Sequence, residues 1–135
     1  MTATARYTPL FGRIFLSLIF IVSGFGKLLD FGGTAGYMET YGIPMPSLLL
    51  VFAILFELGG GALLLIGFQS RLAALALIVF TLLATLIFHD FWALAGAERE
   101  MQFINFMKNL SMIGGLLLVV GFGSGPISLD RDRPD

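Results

Sequence analysis

Cysteine is absent from the 135 residues, which excludes a disulfide framework, a thiolate metal site and any dithiol redox chemistry carried by this chain. With a single histidine, the scattered carboxylates would complete only a thin metal site, and no metal ligand set is assigned. Charge is scarce too. Asp, Glu, Lys and Arg make up 13% of the chain and leave a net charge of −1, too little to clothe a water-soluble surface and with no basic stripe to hold nucleic acid. Apolar residues are abundant, at 57% of the sequence with a mean hydropathy of +0.92, and a chain of this balance belongs in a lipid bilayer.

The apolar residues are gathered into four runs, at residues 10–29, 47–68, 71–89 and 101–122. About 20 apolar residues in a helix cover the roughly 30 Å hydrocarbon core, so the expected fold is all-α, an integral-membrane four-helix bundle. Residues 1–9 read as a short, mobile N-terminal lead, with Pro9 at the first turn of the first span. Residues 10–122 form the membrane domain, and residues 123–135, rich in Gly, Pro and charge, read as a disordered polar tail. Arg6 and Arg13 ahead of an apolar stretch have the outline of a signal peptide. No small-residue cleavage pattern follows, and Lys27-Leu28-Leu29-Asp30 is a poor exit from one, so the segment is read as a mature helix.

The second span carries the residue on which a functional reading turns. Glu57 lies near its midpoint, where a carboxylate costs on the order of 2.5 kcal/mol or more unless neutralised or paired. Gly59, Gly60 and Gly61 follow it, poor for helix propensity but suited to close helix approach. The short turn at Gln69-Ser70-Arg71 makes the second and third spans antiparallel neighbours. Between the first two spans, residues 30–46 carry paired glycines, Tyr37, Tyr41, Pro44 and Pro46, the composition of an interfacial loop with room for one short helix.

Other polar groups fall at similar depth. Thr81, Thr85 and His89 recur every four residues in the third span, and Gln102, Asn105, Lys108 and Asn109 share one face of the fourth. At about 1.5 Å per residue, Glu57 is roughly 15 Å and Lys108 roughly 11 Å from the same surface. The depths match closely enough to expect Glu57 to pair with Lys108, assisted by Asn105 or Asn109. Such a pair is either a structural clamp that fixes helix register or the centre of a pocket for a small polar or amphipathic molecule, with Lys27, His89 and Thr85 in the same half. Arg13 and Lys27, near the two ends of the first span, suit snorkelling interfacial anchors as well as buried roles. His89 is the natural proton carrier, although its place at a helix end beside Asp90 also fits a locally bonded surface residue. No catalytic constellation is complete.

Four spans put both termini on one side, where Arg6, Arg13, Arg71, Arg131 and Arg133 gather. The opposite side has only Lys27 and Arg99 among Asp30, Glu39, Asp90, Glu98 and Glu100. The positive-inside rule then places both ends in the cytoplasm and the pocket mouth outside.

In their order and spacing, several of these residues carry a resemblance. Arg13 with Gly24 and the Gly26-Lys27 exit, the Tyr41-Gly42-Ile43-Pro44 turn, Glu57 with Gly60 and Gly67 ahead of Arg71, and Gln102-Phe103 with Asn109, Gly114 and Gly115 together resemble the DoxX family of small four-helix membrane proteins. The resemblance runs over residues 10–122 and implies a multi-pass protein of a bacterial or archaeal inner membrane. It further implies association with membrane oxidoreductases, the family name deriving from subunits linked to terminal oxidase and thiosulfate:quinone oxidoreductase activity. A quinone-binding or small-molecule-binding subunit beside a redox protein partner is the leading expectation, with no intrinsic cofactor. A scaffold for other membrane proteins and a small transporter component that forms a homo-oligomer are the alternatives.

Overall fold

The computed structural model describes residues 2–130 and consists of five α-helices and one 3-10 turn. In chain order these are α1 (Ala3–Leu29), α2 (Phe31–Thr40), α3 (Pro46–Ile66), α4 (Ser70–Phe88), the 3-10 turn (Phe91–Ala93) and α5 (Gly96–Phe122). The all-α expectation holds: there is no strand among the described residues, and α1, α3, α4 and α5 are long and apolar enough to cross a bilayer. The short helix expected between the first two spans is α2. Its first turn is bonded to Asp30, whose side chain accepts from the Gly33 amide.

The two ends of the chain depart from the sequence reading. The lead is helical from Ala3 because Thr2 caps it, its hydroxyl accepting from the Ala5 amide at 3.2 Å. Pro9 therefore sits inside α1, where it lacks the amide that would complete the helix ladder. The tail is not loose over residues 123–130. It folds back so that Leu129 and Asp130 donate their amides to the carbonyls of Ile66 and Gly67. The remainder of the expected disordered tail, residues 131–135, lies outside the described residues.

Arg13 explains this return. It is no interfacial anchor: only 2% of it is exposed, and its guanidinium donates to four carbonyls. Nε bonds Ser124 at 2.8 Å, Nη1 bonds Leu64 at 3.0 Å and Leu65 at 2.9 Å, and Nη2 bonds Ile127 at 2.5 Å. Two of those acceptors are carbonyls of the last turn of α3, of which Leu64 also receives the Gly67 amide, and there a cation meets the negative pole of the helix. α3 stops there because Gly67 takes a left-handed conformation, φ 69°, which a glycine adopts without steric cost.

Packing depends on small residues. The buried stripe of α1 is Arg13, Ser17, Phe20 and Gly24, and that of α3 is Leu50, Ile54, Glu57, Gly61 and Leu64. A Cβ on Gly24 would lie 2.8 Å from the Leu58 side chain, and one on Gly61 would lie 3.0 Å from Ile21 and 3.4 Å from the Ser17 carbonyl. The two helices thus touch nearly backbone to backbone, as small residues in membrane helices permit. α4 and α5 close the bundle around Phe20, Leu64, Leu77, Leu116 and Val119. Most large apolar side chains point outward, which is where a protein solvated by lipid keeps them.

Candidate functional site

On α3, a run of inward-facing residues brings Glu57 to the wall of the bundle with 4% of its surface exposed. The close approach of α1 then delivers its partner. Lys27 Nζ lies 3.0 Å from both Glu57 oxygens, bonding Oε1, and also donates to Ser23 Oγ at 2.6 Å. Ser23 in turn donates to Glu57 Oε1 at 2.9 Å. The bonds converge on one oxygen. Oε2 is near the ammonium but outside hydrogen-bond geometry, and it is buried with no hydrogen-bond donor.

This corrects the expected pairing. Glu57 pairs with Lys27 of α1 rather than Lys108 of α5, because Gly24 and Gly61 draw α1 against α3 while a cavity separates α3 from α5. Lys108 and Asn105 line that cavity from α5. Asn109 does not reach Glu57 either; its amide donates to Thr85 Oγ1 at 2.9 Å, and Thr85 donates to the Thr81 carbonyl at 2.6 Å. His89 bonds across to α5 rather than locally, its Nδ1 lying 2.7 Å from Gln102 Oε1.

The cavity has a volume of about 790 Å³, within the range of sites that hold drug-sized molecules. All seven residues singled out from sequence, Glu57, Lys108, Asn105, Asn109, Lys27, His89 and Thr85, lie on it or bond to it: Thr85 through Asn109, the others in its wall. Its apolar surfaces come from Ile19, Phe20, Leu50 and Phe80. At its side Thr81, 2% exposed, holds a hydroxyl with no hydrogen-bond partner. Burying such a group unpaired costs roughly 1–3 kcal/mol.

Sequence reading missed the contribution of α2. Tyr37 and Met38 line the cavity, and Tyr37 packs on Tyr41 and Phe88 with ring centroids 5.1 and 5.9 Å away. The Tyr37 and Tyr41 hydroxyls are 3.0 Å apart. Burial, the Tyr41 hydroxyl and the charge of Asp90 push the Tyr37 phenol up to about 12, so it remains a neutral hydrogen-bonding group. The signal was the spacing of Tyr37 and Tyr41 on a helix read only as interfacial.

α1 and α5 meet where Leu16 covers Gly115. Beyond that crossing, Ser23 and Lys27 face Asn105 and Lys108 across the cavity. A second recess of about 570 Å³ lies at the opposite end, against Thr4, Thr8, Leu118 and Phe122, and is almost wholly apolar. The cavity end thus has a polar cluster of its own, separate from the one built on Arg13, Ser70 and Asp130 at the opposite end. No group of three metal-ligating side chains occurs among the described residues.

Fold and site define a multi-pass helical membrane protein with a buried ion pair in the wall of a cavity among its spans. Within that class the chain belongs to the DoxX family, whose profile matches residues 8–90. It is 41% identical over 122 residues to the inner membrane protein YphA of Escherichia coli (strain K12), covering 90% of this chain and 87% of that one. It is also 40% identical over 122 residues to the inner membrane protein YqjF of the same organism, covering 90% and 88%. A shorter likeness, 28% identity over 82 residues, links it to the ER-derived vesicles protein ERV29 of Saccharomyces cerevisiae, covering 61% of this chain and 26% of that one. No solved structure matches. The similarity to YphA and YqjF together with the four apolar helices supports a multi-pass location in the inner membrane.

Proposed function

We propose that the protein is the ligand-binding membrane subunit of an oxidoreductase system, taking up a small amphipathic molecule in the cavity between α1, α3 and α5. The single observation that carries this reading is a cavity of about 790 Å³ with a buried polar wall: Thr81 Oγ1 has no hydrogen-bond partner, and Glu57 Oε2 is met only by the Lys27 ammonium. A polar head would find acceptors and donors there, and an apolar body would lie on Phe20 and Phe80. Quinones belong to that class of molecule. The oxidoreductase setting rests on the family resemblance, and with no cysteine in the sequence electron transfer is assigned to a redox partner.

Mass spectrometry of molecules retained by the protein after gentle extraction from native membranes tests this reading. The expected result is an amphipathic small molecule at near one per chain that is lost from Glu57→Gln. Protein that carries only bulk lipid, in proportions unchanged by the substitution, would count against it. A scaffold role is favoured by a different observation, the clamp that Lys27 and Glu57 make between α1 and α3. In that case breaking the clamp would disturb a co-purifying complex and leave small-molecule retention as in the wild type.

A further inference from the structure

Lys108 stands in an unusual position for an ammonium group. It lies in the span α5, and the bond from neighbouring Asn109 to Thr85 fixes its depth about one helical turn inward from His89 at the end of α4. No hydrogen bond or ion pair within the described residues engages it. Glu57, the carboxylate it shares the cavity with, is already committed to Lys27. The cavity wall thus holds two ammonium groups and one carboxylate, an excess of one positive charge on its exposed side.

Access is sideways. α1 and α5 are in contact at Leu16 and Gly115, and past that crossing the cavity occupies the space between them, with Ile19 on one helix and Lys108, Ser111 and Met112 on the other. Lys108 and Ser111 are exposed on the bundle, so this gap faces the surrounding bilayer. A molecule dissolved in the membrane could enter head first without crossing water.

Building on the cavity as a ligand site, we infer that its ligand is a lipophilic anion. The negative head sits on Lys108, with Asn105 and Asn109 beside it, and the apolar body lies along Phe20, Leu50 and Phe80. A neutral head would leave the ammonium uncompensated; an anionic one balances the cavity and gives a charge-assisted hydrogen bond in a low-dielectric setting. The same chemistry is offered by a free single-chain carboxylate and by the head of an anionic phospholipid.

Radiolabelled palmitate is the probe, with the full-length protein in a neutral detergent. Saturable binding is expected, displaced by unlabelled palmitate and at least tenfold less effectively by hexadecanol, which has the same chain without the charge. Lys108→Met should weaken binding by about tenfold or more, and Lys108→Arg should restore most of it. Displacement by phosphatidylglycerol at lower concentration than palmitate would identify the anion as a lipid head, and the reverse order as a free carboxylate. Equal competition by hexadecanol, or unchanged affinity in Lys108→Met, overturns the inference. The hexadecanol arm needs no variant, so it remains decisive if Lys108→Met fails to fold. If labelled ubiquinone-1 binds and palmitate does not, the anion is wrong while the cavity stands as a ligand site; if neither binds and nothing is retained from native membranes, both fall.

Discussion

Glu57 and Lys27 are unequal partners. The carboxylate side chain is 5% exposed and the ammonium side chain 28%, so removing Lys27 strands a charge in the interior, whereas removing Glu57 leaves a lysine long enough to turn toward the interface. Breaking a buried pair from one side costs about 3–5 kcal/mol, while replacing both partners with apolar groups is often nearly neutral. Lys27→Met should therefore destabilise the protein by about 3 kcal/mol and Glu57→Leu by less, with the double substitution recovering most of the loss. Denaturant titration in bicelles measures all three. Additive losses would mean that the two side chains do not act on one another.

Sequence reading exposed one half of this pair. Glu57 stands out because nothing else near the middle of its span carries charge, a contrast that hydropathy alone reveals. Lys27 was ambiguous, for it sits where an apolar run ends and an interfacial anchor would look the same. Depth suggested Lys108 instead. Depth cannot say which helices touch, and here that was decided by Gly24 and Gly61 bringing α1 onto α3.

Among the elements, α4 begins with help from a distant part of the chain. Its N-cap, Gln69, makes no side-chain cap bond and is itself in a left-handed conformation at φ 51°. The returning tail supplies the missing acceptor: Asp130 receives the amides of Gln69 at 2.7 Å and Ser70 at 2.8 Å. Burial works to raise the Asp130 carboxyl, but the hydrogen bonds from Ser70, Gln69 and Ser124 outweigh it and hold the group below its ordinary value of 3.8. A carboxylate held down on folding stabilises the folded state above its unfolded value, and that contribution is lost as pH falls through the folded value. Asp130→Asn should cost about 1 kcal/mol at pH 7, the usual worth of a cap, with the gap to wild type closing in acid below the folded value. Unfolding of both proteins across that range checks the sign.

The junction beside it has even less latitude. A Cβ at Gly67 would fall 2.5 Å from Ser128 Cβ and 2.6 Å from Arg13 Nη1, at a backbone φ of 69° that disfavours any side chain. Gly67→Ala is expected to cost more than about 1 kcal/mol and to free the tail from Arg13, seen as faster amide exchange over residues 123–130. The four spans were legible because their apolar faces meet lipid, but their ends were not. α1 begins at Ala3 instead of residue 10 and α5 at Gly96 instead of residue 101. Helices continue past the hydrocarbon into water, where Ala97, Glu98, Arg99 and Glu100 keep helical preference after hydropathy has faded. The tail was misread for a related reason: its order comes from Arg13, more than 100 residues earlier in the sequence.

For the whole molecule, the unequal charge at the two ends of the bundle should set the direction in which the site faces. The end that holds Thr2 and Asp130 has Arg6 and Arg71 among its cations, and Arg131 and Arg133 follow Asp130 in the sequence. Arg13 no longer belongs in that count, since its charge is enclosed by four carbonyls. Without it the sequence still sets Arg6, Arg71, Arg131 and Arg133 against Arg99, the ion-paired Lys27 and Lys108 at the cavity end. Lysine and arginine in short loops are retained on the cytoplasmic side, so both termini should be cytoplasmic and the cavity should open toward the outer leaflet. A C-terminal fusion to green fluorescent protein is expected to fluoresce and one to alkaline phosphatase to be inactive, with the pattern reversed for alkaline phosphatase placed after Ala95. The opposite result would turn the cavity toward the cytoplasm, and its ligand would then be drawn from the inner leaflet. Adding lysines at Gly96 and Ala97 distinguishes charge from other determinants: if positive charge sets the orientation, these substitutions should yield a mixed population of fusions.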